Sequence, residues 1–368
     1  MTERRPRRIL IVGAKFGEIY ANAFLDDMPG VTLAGIMANG SERSRKLAHA
    51  FGVPLYTRLE DVPQDIDIAC VVVRSTIVGG EGSRLAESLM RRGLHVVQEH
   101  PIHPEEVARL QKLARELCRV YWVSSFYSSA TAGKIWIDTA RQIQSRVGPP
   151  QIATLTTSRQ LLYSGLDLLL QGVAHPITLP ETSASVLNGL HADSLRLTCG
   201  QTDISLSLQN YIDPDDPDMH SLVMHQLLLG WQEGYLSLTS SYGPVIWVGN
   251  WFDPAHLEAS TTLYDGPPET RLRLRLPARQ ILHEGPETWQ QIFEHDAPTC
   301  VRRLLEAICT ILDGGDASLH AHASHQFQVA AAWQSILLRT GPARERNIAP
   351  SETLHINPCA TSSAWERI

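Results

Sequence analysis

The first 125 residues alternate short β-branched runs with amphipathic stretches, and few folds accommodate that order. "RRILIV" reads as a strand that runs into a glycine turn, "EIYANAFLDDMPG" as a helix stopped by Pro29 and Gly30, and "VTLAGIMA" as a second strand. "SERSRKLAHAFG" opens on Ser41 as a helix N-cap and closes on Gly52. "DIACVVVRST", "LHVVQE" and "RVYWVSS" follow as strands, with "GSRLAESLMRRG" and "PEEVARLQKLAREL" as the helices between them. A strand as continuously apolar as "DIACVVV" is what a sheet covered on both faces requires. Strands joined by helical crossovers give a parallel, doubly wound α/β sheet.

After Phe126 the pattern changes. A helix over residues 131–144 ends at "GPP". "QIATLTTSRQ", "SLRLTCG", "DISLSLQNYI", "YLSLTSSYG", "PVIWVGNWF" and "TRLRLRLP" then read as strands. Strict period-two alternation in "ISLSLQ" and "RLRLRL" predicts an antiparallel sheet with one solvated face. "DAPTCVRRLLEAICTILDGG" and "ASHQFQVAAAWQSILLRTG" read as amphipathic helices ending on glycine. The expected organisation is a Rossmann domain over residues 1–125, an α+β domain over 126–345 with a large, mostly antiparallel open sheet, and a tail over 346–368.

Composition narrows the function. With 43% hydrophobic and 19% charged residues the chain builds a core, and a net charge of −7 leaves no basic face for nucleic acid. The arginines at 4, 5, 7 and 8 read as a solvated cluster. No secretory h-region or membrane-span-length apolar run is present, and the six cysteines form no C-x-x-C pair, which fits a reducing cytoplasm. "DPDDPDMH" fails the calcium-loop spacing because Pro217 takes a ligand position, and no histidines pair on one face with a third ligand; no metal is expected.

The turn "VGAKFGE", from Gly13 through Ala14, Lys15, Phe16 and Gly17, lies where a dinucleotide pyrophosphate would rest on backbone N–H groups. Lys15 and Glu18 occupy the second and third glycine positions of the usual G-x-G-x-x-G spacing. The second strand ends at Ala38–Gly40 without the carboxylate that would take a ribose hydroxyl. Ser41, Arg43 and Ser44 follow, and hydroxyls with a guanidinium suit a 2′-phosphate, so NADPH is the expected cofactor. The alternative is a helix cap at Ser41 with a solvated Arg43. Arg74, Ser75 and Thr76 end the next strand and are expected beside the cofactor.

The strand "LHVVQE" ends in Glu99-His100-Pro101. Its place between a dinucleotide domain and an antiparallel-sheet domain resembles the Glu-Lys-Pro turn of the glucose–fructose oxidoreductase/inositol dehydrogenase family, with histidine for lysine. In "SGLDLLLQG", Asp167 and Gln171 stand where that family keeps an aspartate and, four residues on, a histidine. A closer resemblance is carried by "ILIVGAKFGEIYANAF", "VVRSTIVGG", "VVQEHPIHP", "TTSRQLLYSGLDLLL", "YIDPDDPDMHSLVMHQLLLGW" and "SYGPVIW". Together these are similar to the thiazolinyl imine reductases of yersiniabactin- and pyochelin-type siderophore assembly. That resemblance implies an NADPH-dependent reduction of a thiazoline C=N to a thiazolidine. The substrate would be a thioester on a nonribosomal peptide synthetase carrier protein. A homodimer is expected from the open sheet.

Imine reduction needs a hydride at carbon and a proton at nitrogen. Histidine, with an ordinary pKa of about 6.5, gives up a proton near neutrality more readily than lysine at about 10.4. His100 is therefore the expected general acid, Tyr127 in "SSFYSS" a second donor or relay, Glu99 an orienting or ribose-binding group, and Asp167 a residue that orients substrate or caps a helix. Two other readings remain: a sugar or polyol dehydrogenase, and a non-catalytic NADP-binding regulatory protein.

Overall fold

A computed structural model of the 368-residue chain describes residues 5–73, 75, 81–173, 186–252, 268–314 and 317–349. The N-terminal half is built on six parallel strands: β1 (Arg7–Val12), β2 (Val31–Met37), β3 (Leu55–Tyr56), β4 (Ile68–Val71), β5 (His95–Glu99) and β6 (Tyr121–Ser124). Their order is β3-β2-β1-β4-β5-β6. Helices α1 (Gly17–Asn22), α2 (Glu42–Ala50), α3 (Glu81–Arg91) and α4 (Pro104–Glu116) cross between them. The sheet is apolar because it is covered: Ile9, Leu10, Ile11, Ile68, Ala69 and Val71 have no exposed surface. The order reverses direction between β1 and β4, which opens a crevice at the carboxyl edge.

Helix α1 is shorter than the pattern predicts. The backbone N–H groups of Phe24 and Leu25 bond three residues back, to Ala21 and Asn22, and the chain tightens into turns. Leu25 is exposed, so nothing apolar rewards another helical turn.

The second half wraps helices α5 (Thr131–Val147) and α6 (Leu162–Val173) against a seven-stranded sheet. Its strands are β7 (Ile152–Ser158), β8 (Ala192–Cys199), β9 (Thr202–Gln209), β11 (His225–Trp231), β12 (Gly234–Leu238), β13 (Val245–Gly249) and β14 (Arg279–His283). The order is β14-β13-β12-β11-β7-β9-β8, antiparallel except where β7 lies parallel to β9. A short strand β10 (Tyr211–Ile212) pairs with β15 (Arg344–Glu345) near the end of the described chain. Alternation in "ISLSLQ" is realised in β9, where Ile204, Leu206 and Leu208 are buried and Asp203 and Ser205 exposed.

The same alternation misleads in "RLRLRLP". Helix α7 (Pro268–Leu274) occupies it, and the edge strand comes later, as β14. Leu272, Leu274 and Leu276 are all exposed, so no sheet face collects them. Pro268 is tolerated at a first helical turn, and the helix satisfies its own backbone.

A short helix α8 (Trp289–Gln291) and a π turn lead into α9 (Ala297–Leu312), which packs on α1; α10 (Ala317–Thr340) runs back across α4, α6 and β6. The two halves are thus joined by helix packing as well as by the chain that passes between them. Among the described residues no helix is long and apolar enough to cross a membrane.

Candidate functional site

The crevice lies where β1, β4, β5 and β6 end. Gly13 has φ of +113°, and a Cβ there would fall 2.6 Å from the Val72 carbonyl oxygen. Only glycine lets the turn after β1 lie against the tip of β4, which leaves a shelf of bare backbone. Phe16 precedes the first turn of α1 and packs edge-on against Phe126 at 5.5 Å. Lys15 reaches across the crevice to within 3.5 Å of Asp218, in the "DPDDPDMH" loop of the second half.

Arg43 lies over the same turn. Its Nε donates to the Ala14 carbonyl at 3.2 Å and its Nη2 to Glu18 at 2.7 Å. Ser41 is occupied as the N-cap of α2, its side chain accepting from the Ser44 N–H at 3.3 Å. Ser44 is fully buried and gives its hydroxyl proton to the Ser41 carbonyl. Of the three residues expected at a 2′-phosphate, Ser41 and Arg43 are exposed and Ser44 is buried. Ser75 turns inward and accepts from the buried Gln98 amide at 2.8 Å. Arg74 and Thr76 lie outside the described residues.

Glu99 and His100 follow β5. Nδ1 of His100 sits 2.9 Å from Glu99 Oε1 and 3.1 Å from the Ser124 carbonyl oxygen. Both are acceptors, so Nδ1 carries a hydrogen and any second proton must sit on Nε2. The other carboxylate oxygen, Oε2, accepts from the hydroxyl of Tyr20, a buried residue of α1. The imidazole stacks on Tyr163 of α6, ring centres 5.4 Å apart. No hydrogen bond reaches His100 Nε2 among the described residues, and it is not one of the buried orphan atoms.

Tyr127 enters from the turn after β6. Phe126 adopts φ of +66°, rare for a bulky residue, and reverses the chain. Gly133 lets the start of α5 press on this turn, since a Cβ there would lie 2.2 Å from the Tyr127 carbonyl oxygen. The Tyr127 ring rests on His225 of β11, centres 4.5 Å apart, and edge-on to Tyr242 at 5.9 Å. Burial, and then the Glu99 charge, pushes its hydroxyl well above the usual phenol range, so it keeps its proton at neutral pH. The hydroxyl is not one of the buried orphan atoms.

His225 is fully buried between the hydroxyls of Ser164, at 2.9 Å, and Ser241, at 2.8 Å. Burial pushes it down to about 3; the Leu161 carbonyl opposes this and a charge on His100 adds to it. Neutral at any working pH, it serves as a fixed base plate for Tyr127.

Asp167 has no exposed surface. It accepts from Ser125, from Gln171 at 3.1 Å, from His325 Nε2 at 2.6 Å and from Gln326 at 3.2 Å. Burial alone would raise its carboxyl; the His325 bond and charge, with Ser125 and Ser128, override that and hold it well below the usual carboxylate range. The structure therefore brings Glu99, His100 and Tyr127 to the crevice and sets Asp167 behind it, at the seam between α6 and α10.

Tyr20, Tyr163, His225 and His325 belong to this arrangement and carry no local sequence signal. Each is brought in by tertiary contact; His325 lies 158 residues from its carboxylate.

Comparison with known proteins follows the same division. Residues 7–125 match the family described as "Oxidoreductase family, NAD-binding Rossmann fold". Residues 148–248 match "Thiazolinyl imine reductase Irp3-like, C-terminal". No curated protein matches the chain in sequence. Among solved structures, a 3-ketoreductase from Actinomadura kijaniata, in complex with TDP-benzene and NADP, superposes with a TM-score of 0.65 at 13% identity, over 93% of this chain and 99% of that one. A UDP-N-acetylglucosamine 3-dehydrogenase from Acidithiobacillus ferrooxidans gives 0.61 at 14% identity, over 91% and 98%. An oxidoreductase from Agrobacterium radiobacter, solved with NAD+, L-tartaric acid and magnesium, gives 0.62 at 10% identity, over 91% and 96%. At such identities the likeness concerns the fold; the matched families make the chain an oxidoreductase with a nicotinamide-dinucleotide domain.

Proposed function

We propose, taking as premise that the chain is a nicotinamide-dependent oxidoreductase, that it reduces the C=N bond of a thiazoline to a thiazolidine with NADPH. The observation that carries this reading is the match of residues 148–248, in the second half, to thiazolinyl imine reductases. That half supplies Tyr163 and His225, on which the crevice donors rest. The substrate would be a thioester on a carrier protein of siderophore assembly, in the cytoplasm. The open face of the second sheet, where Ile152, Tyr235 and Ile281 are exposed, is the surface a homodimer would use.

The residues present fit the cofactor. Gly13 lets the turn after β1 lie against the tip of β4, and the N–H groups of that turn, at the start of α1, are where a pyrophosphate would rest. Arg43 stands at the tip of β2, with Ala38, Asn39 and Gly40 in place of a ribose-binding acid, which favours the 2′-phosphate. When bound, the reduced nicotinamide supplies the hydride.

The chain supplies the proton. As the imine carbon gains hydride, the C=N π pair moves to nitrogen, and that nitrogen takes the proton from Nε2 of the His100 imidazolium. His100 is left as the neutral Nδ1–H tautomer, which Glu99 and the Ser124 carbonyl already hold. Tyr127, still protonated, donates a hydrogen bond to the ring nitrogen and holds it in line. Solvent restores the imidazolium after release.

A synthetic hydroxyphenyl-thiazolinyl thioester and a panel of sugars, each followed by NADPH absorbance, test the assignment. Oxidation of NADPH with the thioester is expected. Reduction of NADP by a sugar, without thioester turnover, would replace it with a sugar dehydrogenase. Tight nucleotide binding with neither reaction would leave a non-catalytic sensor.

A further inference from the structure

We infer that Tyr20 is a positioning residue for His100, acting through Glu99. The inference rests on the general-acid reading above and extends the proton donor by one residue into the cofactor domain. Tyr20 is 1% exposed. Its hydroxyl donates to Glu99 Oε2 and lies 3.1 Å from Ser124 Oγ. A phenylalanine would fill the same core space beneath the sheet edge. The hydroxyl is buried at a cost that only its polar partners offset, so its presence points to the carboxylate.

Glu99 holds one donor on each oxygen, Tyr20 on Oε2 and His100 on Oε1. Removing the first leaves half of a nearly buried carboxylate unpaired. The group then turns toward other donors, and Nδ1 of His100 keeps only the Ser124 carbonyl, at 3.1 Å. One acceptor in place of two then holds the Nδ1–H tautomer, and the Nε2–H tautomer gains population. The Nε2–H tautomer reaches the same imidazolium only by taking a proton at Nδ1, the nitrogen that faces Glu99 and the Ser124 carbonyl, so it recharges more slowly. Burial, and then the Glu99 charge, pushes the Tyr20 hydroxyl far above the ordinary phenol range, so it stays a donor throughout. Because α1 starts at the glycine turn, the same residue ties the cofactor shelf to the acid.

Tyr20→Phe, His100→Ala and the double variant, in the full chain, test this by two independent readouts. With the hydroxyphenyl-thiazolinyl thioester, Tyr20→Phe is expected to lower kcat about tenfold, roughly the worth of one hydrogen bond to a charged group. KM for NADPH should stay within about twofold, and the double variant should be no slower than His100→Ala. In 15N-histidine spectra the His100 signals, assigned by their loss in His100→Ala, should report a single Nδ1–H tautomer in the wild type and a mixture in Tyr20→Phe. Glu99→Gln should give the same mixture, which guards against a folding defect peculiar to position 20. An unchanged spectrum in Tyr20→Phe, or losses that multiply in the double variant, overturns the inference. Full kcat in His100→Ala, or no turnover of the thioester at all, overturns the general-acid reading instead; the spectra then decide the role of Tyr20 alone.

Discussion

Two histidine–carboxylate pairs lie at nearly the same spacing, Glu99–His100 at 2.9 Å and Asp167–His325 at 2.6 Å, and their surroundings differ. Glu99 has one donor per oxygen, and its histidine has a nitrogen left over. Asp167 is saturated by two glutamines, a serine and a histidine, and nothing of it is exposed. A carboxylate already holding that many donors can take up a substrate only by surrendering one of them. The first pair is built to pass a proton outward. The second binds α10, from the end of the described chain, to α6 and the turn that carries Tyr127.

The contrast breaks most sharply on substitution. His100→Ala should lower kcat by about 10² to 10⁴, the usual worth of a general acid, and leave the melting temperature nearly unchanged. Asp167→Asn should do the reverse. Leaving buried donors without their carboxylate costs about 1–3 kcal/mol, read as a lowered denaturant midpoint, while kcat of the folded fraction stays within about threefold. If Asp167→Asn instead abolishes turnover at unaltered stability, the seam is part of the catalytic site and the division above is mistaken.

That division was only partly legible beforehand. Glu99 and His100 are neighbours at a strand tip, so the alternation that locates β5 also places them at the crevice. Asp167 could be found by its likeness to a family motif, but its histidine could not: Gln171 stands at the helical i+4 position and the imidazole arrives from α10. Tyr20 was hidden for the same reason, since its partner lies 79 residues away. The parallel sheet was readable because burial on both faces forces continuous apolar runs. β9 was readable because one face is buried, whereas in "RLRLRLP" alternation without a buried face settled as a helix.

A further effect separates the crevice from the seam by pH. In the unfolded chain His225 takes a proton near its ordinary value of about 6.5. In the folded chain burial holds it neutral down to about 3. Its contribution is therefore complete above about pH 6.5 and drains as the pH falls, by about 1.4 kcal/mol per unit between those limits. His95 and His322, pushed down by burial to about 4 and about 3, work in the same direction. The depressed Asp167 carboxyl keeps its contribution until the pH falls below the ordinary carboxylate range. Acid loss of stability between pH 6 and 4 thus belongs to the histidines. Unfolding free energies across that range should show a shallower slope in His225→Gln than in the wild type, and equal slopes would place the proton uptake elsewhere.

The smallest expected effect lies at the far end of the crevice, where the charges are exposed. Arg43 and Glu18 are at least half in solvent at 2.7 Å, and such a pair contributes at most about 1 kcal/mol. A phosphate with two charges can therefore displace Glu18 from the guanidinium at little cost, whereas neither half of the buried Asp167–His325 pair yields so easily. Arg43→Ala should raise KM for NADPH about tenfold and leave KM for NADH within about twofold. Glu18→Gln, which frees the guanidinium, should lower KM for NADPH by about twofold or less. Equal effects of Arg43→Ala on the two cofactors would mean that the guanidinium braces the Ala14 carbonyl and reads no 2′-phosphate, and the preference for NADPH would lose its structural basis.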